Sequence, residues 1–93
     1  MSHHLEYQKC YHKRAHQSAI NAMVLSPGGA RLVTGSDDCT VKVWSTLTGD
    51  MLCIVKTHSP VTALAWITSE NGFILGCANG IMATICFSEV WDT

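Results

Sequence analysis

His16, Ser36 and Asp38 are the residues of this 93-residue chain whose types could do chemistry together. An imidazole that takes the proton of a serine hydroxyl while a carboxylate orients it is the working arrangement of a hydrolase. A hydrolase built here would rely on His16 and Asp38. Neither a nucleophile elbow nor an oxyanion-hole motif accompanies them, so catalysis is not the expected role. A second cluster, His3, His4, Cys10, His12 and His16, crowds the N-terminus with metal-ligating types. Cys10-Tyr11-His12 lacks the second close pair that a structural zinc site needs, and no metal site is expected. Gly28-Gly29 carries neither the Lys-Ser/Thr nor the helix start of a phosphate-binding loop, and no cofactor is expected.

The elements that must position these side chains are strands. Ile20 to Leu25 is an apolar run ended by Ser26-Pro27-Gly28-Gly29, where proline removes a backbone donor and glycine permits positive φ. Arg31 to Ser36 follows, and Asp37-Asp38-Cys39 turns the chain into Thr40 to Trp44. There Val41 and Val43 share one face, while Thr40, Lys42 and Trp44 share the other. Thr48-Gly49-Asp50 leads into Met51 to Lys56. The order then repeats: Val61 to Trp66, a turn at Ser69-Glu70-Asn71-Gly72, Phe73 to Cys77, a type I′ hairpin signal at Asn79-Gly80, and Ile81 to Phe87. A fourth strand is not evident in the second pass. Glu6 to His12 alternates weakly and predicts a marginal edge strand.

From His16 to His58 is 42 residues, inside the ~40–45-residue period of a four-stranded propeller blade. With Ala15-His16, Gly35-Ser36-Asp37-Asp38 and Thr40 to Trp44 in register, the chain resembles the WD40-repeat β-propeller family. The resemblance implies an all-β fold of antiparallel meander blades. About two blades are present, against the ~4–8 that close a propeller, so the chain is not a closed propeller by itself and reads as part of a longer one. The implied organisation is an N-terminal segment at 1–15, which could be the outer strand of a preceding blade, a first repeat at 16–57, and a second, degenerate and incomplete repeat at 58–93.

The family pattern carries a hydrogen-bonded chain of four side chains, here His16, Ser36, Asp38 and Trp44. Indole only donates, a carboxylate only accepts, and histidine and serine do both, so such a network pins the entry loop against the hairpin. Its presence explains His16, Ser36 and Asp38 without catalysis. In the second repeat Cys77, Asn79 and Ile85 occupy the corresponding places, and the network cannot form. Ala15 stands where the family has glycine, and Ser45 where it has aspartate. The Trp91-Asp92 pair falls outside the repeat register.

The implied function is a non-catalytic protein-interaction module or scaffold. Its partners would be other proteins or further WD40 blades, met through rim loops at Gln17, Ser18, Ala19 and Asp37, and at Ser59 and Pro60 in the next repeat. The alternative is a fragment of a longer protein without function of its own. A net charge of −1 from seven acidic and six basic residues excludes a nucleic-acid footprint, and Lys9, Lys13 and Arg14 read as a solvated cluster. No run reaches the ~20 apolar residues of a membrane helix, and the N-terminus has no secretory pattern. Five cysteines without close pairing fit a reducing compartment, cytoplasmic or nuclear. Two blades alone expose apolar faces, so self-association is also expected.

Overall fold

Within each of two sheets, successive apolar runs close as hairpins, because the short turns leave no room for a crossover. The computed structural model describes residues 2–10, 12–68 and 71–88. Strands β1 (Ile20–Leu25), β2 (Arg31–Ser36), β3 (Thr40–Ser45) and β4 (Met51–Lys56) form one antiparallel sheet in chain order. Strands β5 (Val61–Ile67), β6 (Gly72–Cys77) and β7 (Met82–Cys86) form a second. No helix occurs among the described residues. The all-β, two-sheet, unclosed architecture is the one expected, with four strands and then three.

The register assigns faces. Leu32 pairs with Trp44 and Thr34 with Lys42, which puts Trp44 and Thr34 on one side of the first sheet. Val33 pairs with Val43 and Gly35 with Val41 on the other. That second side is the core: Val33, Val41 and Val43 are buried against Val61, Phe73 and Leu75 of the second sheet. Gly35 permits the approach, because a Cβ built there would lie 2.5 Å from Val61 Cγ1. Asn21 locks it by donating its amide N–H to the Val61 carbonyl at 2.9 Å.

Two expectations are corrected. The β6–β7 connection is not a type I′ turn, which needs positive φ at both central residues. Gly80 has φ 89°, whereas Asn79 does not adopt positive φ. Gly80 N–H instead bonds the Cys77 carbonyl at 3.0 Å, closing a three-residue loop with a left-handed last residue. The β2–β3 loop has the same form, with Cys39 N–H on the Ser36 carbonyl and Cys39 at φ 66°. The edge strand expected over Glu6 to His12 is also absent among the described residues, and Leu5 and Tyr7 are exposed. An extended segment becomes a strand only by pairing with a sheet edge, and β1 pairs with β2 alone. The Ser69-Glu70 half of one expected turn and the Trp91-Asp92 pair lie outside the described residues.

Candidate functional site

The outward face of the first sheet would leave Thr34, Ser36 and Trp44 in water, yet all three are buried. The segment leading into β1 covers them. Lys42 on β3 donates its ammonium to the Ala15 carbonyl at 2.8 Å, and Lys13 donates to the Gly49 carbonyl at 2.7 Å. Both ammonium groups also lie over the Trp44 ring, 4.8 Å from its centroid for Lys13 and 6.0 Å for Lys42. Lys13 is therefore a tether rather than part of a solvated basic cluster. Its partner is 36 residues away, and nothing local in the sequence signals it.

His16 comes to lie inside this cover, 3% exposed. Its Nε2 is 2.7 Å from Thr34 Oγ1, and its Nδ1 is 3.1 Å from Asp38 Oδ2. The Trp44 indole N–H donates to the same Thr34 hydroxyl at 2.9 Å. One wiring satisfies every group: indole N–H to Thr34, Thr34 O–H to His16 Nε2, and His16 Nδ1–H to the Asp38 carboxylate. Asp38 also accepts the Gln17 N–H at 3.0 Å and both the N–H and hydroxyl of Thr40. Burial works against the Asp38 charge, but the bonds from Thr40, Gln17 and His16 outweigh it and hold the carboxyl down at about 2. Among the described residues no buried side-chain nitrogen or oxygen lacks a partner.

Of the four residues named from the sequence, the structure joins His16, Asp38 and Trp44 but not Ser36. The Ser36 hydroxyl donates to the Ser18 carbonyl at 3.4 Å and accepts the Asp38 N–H at 3.1 Å, so it shapes the turn beneath the network. Thr34 takes the linking place. Both residues point to the same side of β2, two positions apart, so alternation cannot choose between them. The choice is made by register: Trp44 stands opposite Leu32, which makes Thr34 its near diagonal neighbour and Ser36 a remote one.

A threonine hydroxyl, imidazole and carboxylate in this order also have the connectivity of a hydrolytic triad, a likeness to be judged by access. Thr34 is 2% exposed and its oxygen already faces both Trp44 and His16. Its hydroxyl is engaged on both sides and is not free to serve as a nucleophile. The triad geometry is here a structural clamp.

The second sheet lacks the clamp. Leu75, Cys77, Asn79, Ile81 and Ile85 occupy the places of Thr34, Ser36, Asp38, Thr40 and Trp44. His58 is exposed, and a pocket of about 340 Å³ opens between Thr57, Leu75 and Ile85. Asn79 keeps only the turn function, accepting the Ile81 N–H at 3.1 Å.

Gln17, Ser18, Ala19 and Asp37 are exposed and adjacent: the Asp37 N–H bonds the Ala19 carbonyl at 3.0 Å, and Asn21 donates to the Asp37 carboxylate at 2.7 Å. Pro60 is half-buried and its carbonyl accepts the Ala78 N–H. Ser59 is buried, its hydroxyl taken by the Asn79 N–H at 3.2 Å, and is corrected from a rim residue to a structural one. The exposed Ala78 and Asn79 stand where Asp37 and Asp38 stand in the first sheet, a rim position that sequence reasoning passed over. All five cysteines are free, and among the described residues no group of metal-ligating side chains gathers and no helix is long and apolar enough to cross a membrane.

Fold and clamp together define blades of a β-propeller, meander sheets stacked face to face with a polar network closing the first. The solved β-propeller domain of Myceliophteria thermophila Cps50 (Swd1) superposes with a TM-score of 0.71 at 19% identity, over 82% of this chain and 25% of that one. The family model described as WD domain, G-beta repeat matches residues 8–45, the stretch that carries the clamp and the first three strands. The computationally designed Ika4 protein is 36% identical with a TM-score of 0.69, over 78% of this chain and 44% of that one. The ribosome biogenesis protein ERB1 of Chaetomium globosum is 39% identical over 69 residues, 72% of this chain. The chain spans about a tenth of the length of the curated relatives it matches.

Proposed function

We propose that this chain is a non-catalytic protein-interaction module, one part of a WD40 scaffold, that presents the rim formed by Gln17, Ser18, Ala19 and Asp37, together with Pro60. The observation that carries this reading is the closed clamp. Its hydroxyl, imidazole and carboxylate are committed to one another and shielded, so the chemistry-bearing residues hold a loop in place instead of meeting a substrate. What the clamp holds still is the segment that carries Gln17 and Ser18, and exposed loop residues on a rigid scaffold are where recognition concentrates. The likeness to ribosome biogenesis proteins supports a partner among the proteins of ribosome assembly, and with it a nuclear location.

A combined Gln17→Ala, Ser18→Glu and Asp37→Lys variant tests the reading. Tagged chain expressed in cells should co-sediment with pre-ribosomal particles on a sucrose gradient, and the rim variant should leave that fraction while its melting temperature stays unchanged. Co-sedimentation that persists in the rim variant refutes the rim as the contact. A wild-type chain that never enters the particle fraction refutes the ribosomal partner.

A further inference from the structure

We propose that Asn79 is a modification site, whose side-chain amide is lost spontaneously to water and leaves a mixture of aspartate and isoaspartate at the tip of the β6–β7 loop. The chain has three asparagines, and two of them, Asn71 and Asn79, precede a glycine. An Asn-Gly pair is chemically disposed to this reaction, because the glycine nitrogen has no Cβ beside it to obstruct its approach to the asparagine Cγ. By sequence the two pairs are equal. The structure separates them.

Gly72 is buried within β6 and paired on both sides, with Ile67 of β5 and Cys86 of β7. A Cβ built on it would collide with the Ile85 carbonyl oxygen. Its nitrogen reaches the Asn71 side chain only if the middle strand of the sheet is unzipped. Asn71 is held as well, its carbonyl accepting the Phe87 N–H at 2.8 Å and its Oδ1 facing an Arg31 guanidinium nitrogen at 3.4 Å. Gly80 is the opposite case. Ala78, Asn79, Gly80 and Ile81 are all exposed, and nothing lies within 4 Å of a Cβ built on Gly80. The bonds to be released are the Gly80 N–H on the Cys77 carbonyl at 3.0 Å and the Ile81 N–H on Asn79 Oδ1 at 3.1 Å. Both lie at the wet end of a hairpin, where local opening costs least. In the opened loop the Gly80 nitrogen bonds to Asn79 Cγ, and the side-chain nitrogen leaves as ammonia with the Gly80 amide proton. Water then opens the imide ring. Breaking the new N–Cγ bond leaves aspartate; breaking the original peptide bond leaves isoaspartate, with the main chain rerouted through Cγ.

The two products differ in what they keep. Aspartate retains an oxygen for the Ile81 N–H and adds a negative charge where Asp38 stands in the first sheet. Isoaspartate lengthens the main chain of a short loop that is tied to the segment leading into β5. Those ties are the Asn79 N–H on Ser59 Oγ at 3.2 Å and the Ala78 N–H on the Pro60 carbonyl at 2.9 Å. Isoaspartate therefore loosens Ser59 and Pro60, whereas aspartate leaves them held.

The test holds the 93-residue chain at neutral pH in water enriched in heavy oxygen, folded and in urea, and follows it by peptide mapping after digestion in ordinary water. Each converted asparagine takes its new oxygen from the labelled solvent. In the folded chain the Asn79 peptide should gain label at least ~10-fold faster than the Asn71 peptide, and in urea the two rates should converge. The Asn79 peptide should resolve into two products, one co-eluting with that of the Asn79→Asp variant and the other accepting a methyl group from an isoaspartyl methyltransferase. Asn79→Gln, whose longer side chain must close a larger ring, should leave that peptide unlabelled over the same period. A folded chain in which Asn79 reacts no faster than Asn71 or not at all, or label that persists in Asn79→Gln, would overturn the proposal.

Discussion

The Trp44 indole N–H donates to the Thr34 hydroxyl at 2.9 Å, and the same oxygen lies 2.7 Å from His16 Nε2, so one threonine joins the third strand to the entry segment. Thr34→Val keeps the shape and removes the oxygen, leaving an indole N–H and an imidazole nitrogen buried without partners. At ~1–3 kcal/mol for each, the loss should be about 2–6 kcal/mol. Ser36→Ala, outside the chain of bonds, should cost about 1 kcal/mol. Urea denaturation of both variants checks the order, and a larger loss at Ser36 would return the linking role to that residue.

Asp38 should dominate the acid limb of stability. Its carboxyl titrates in the folded state at about 2, below the ordinary 3.8. A depressed folded value contributes stability that is fully present above pH ~4 and is lost as pH falls through ~2. Asp38→Asn should lower the melting temperature at pH 7 and flatten its decline between pH 4 and pH 2. Thermal melts across that range, wild type against variant, measure the difference in slope; parallel curves would place the acid sensitivity elsewhere.

Cys39 holds φ 66° where its counterpart in the second sheet is Gly80 at φ 89°. Left-handed backbone costs a residue with a Cβ ~1–2 kcal/mol, and glycine returns ~0.5–1 of that through its freedom in the unfolded chain. Cys39→Gly should therefore stabilise by about 0.5–1 kcal/mol, read as a higher urea midpoint at unchanged slope.

The seam between the sheets rests on Gly35 and Val61. Gly35→Ala drives a methyl against Val61 Cγ1 and should destabilise by about 1–3 kcal/mol. Val61→Ala alone should cost about 2–4 kcal/mol through the cavity it leaves. Made together, the two should cost less than their sum by about 1 kcal/mol, since the new methyl enters the vacated space. A double-mutant cycle measures the coupling, and strict additivity would mean the two residues do not share that space.

Much of this protein is decided locally. Turn residues between alternating runs determined the order and bounds of the strands, and Val41 and Val43 against Thr40, Lys42 and Trp44 determined which face of β3 is core. The 42-residue return of histidine determined that there are two units, and the resemblance of their pattern to WD40 repeats implied that His16, Asp38 and Trp44 share a polar network. Only the tertiary structure decided that Thr34 and not Ser36 joins them, because both point the same way and a cross-strand register, with Leu32 opposite Trp44, sets the distance. It alone decided that Lys13 is a tether and that Ser59 is interior, for each is settled by a partner at least 20 residues away. The edge strand at 6–12 fails for the same reason. Alternation prepares a segment to be a strand, but a strand exists only where another strand's edge is there to pair with it.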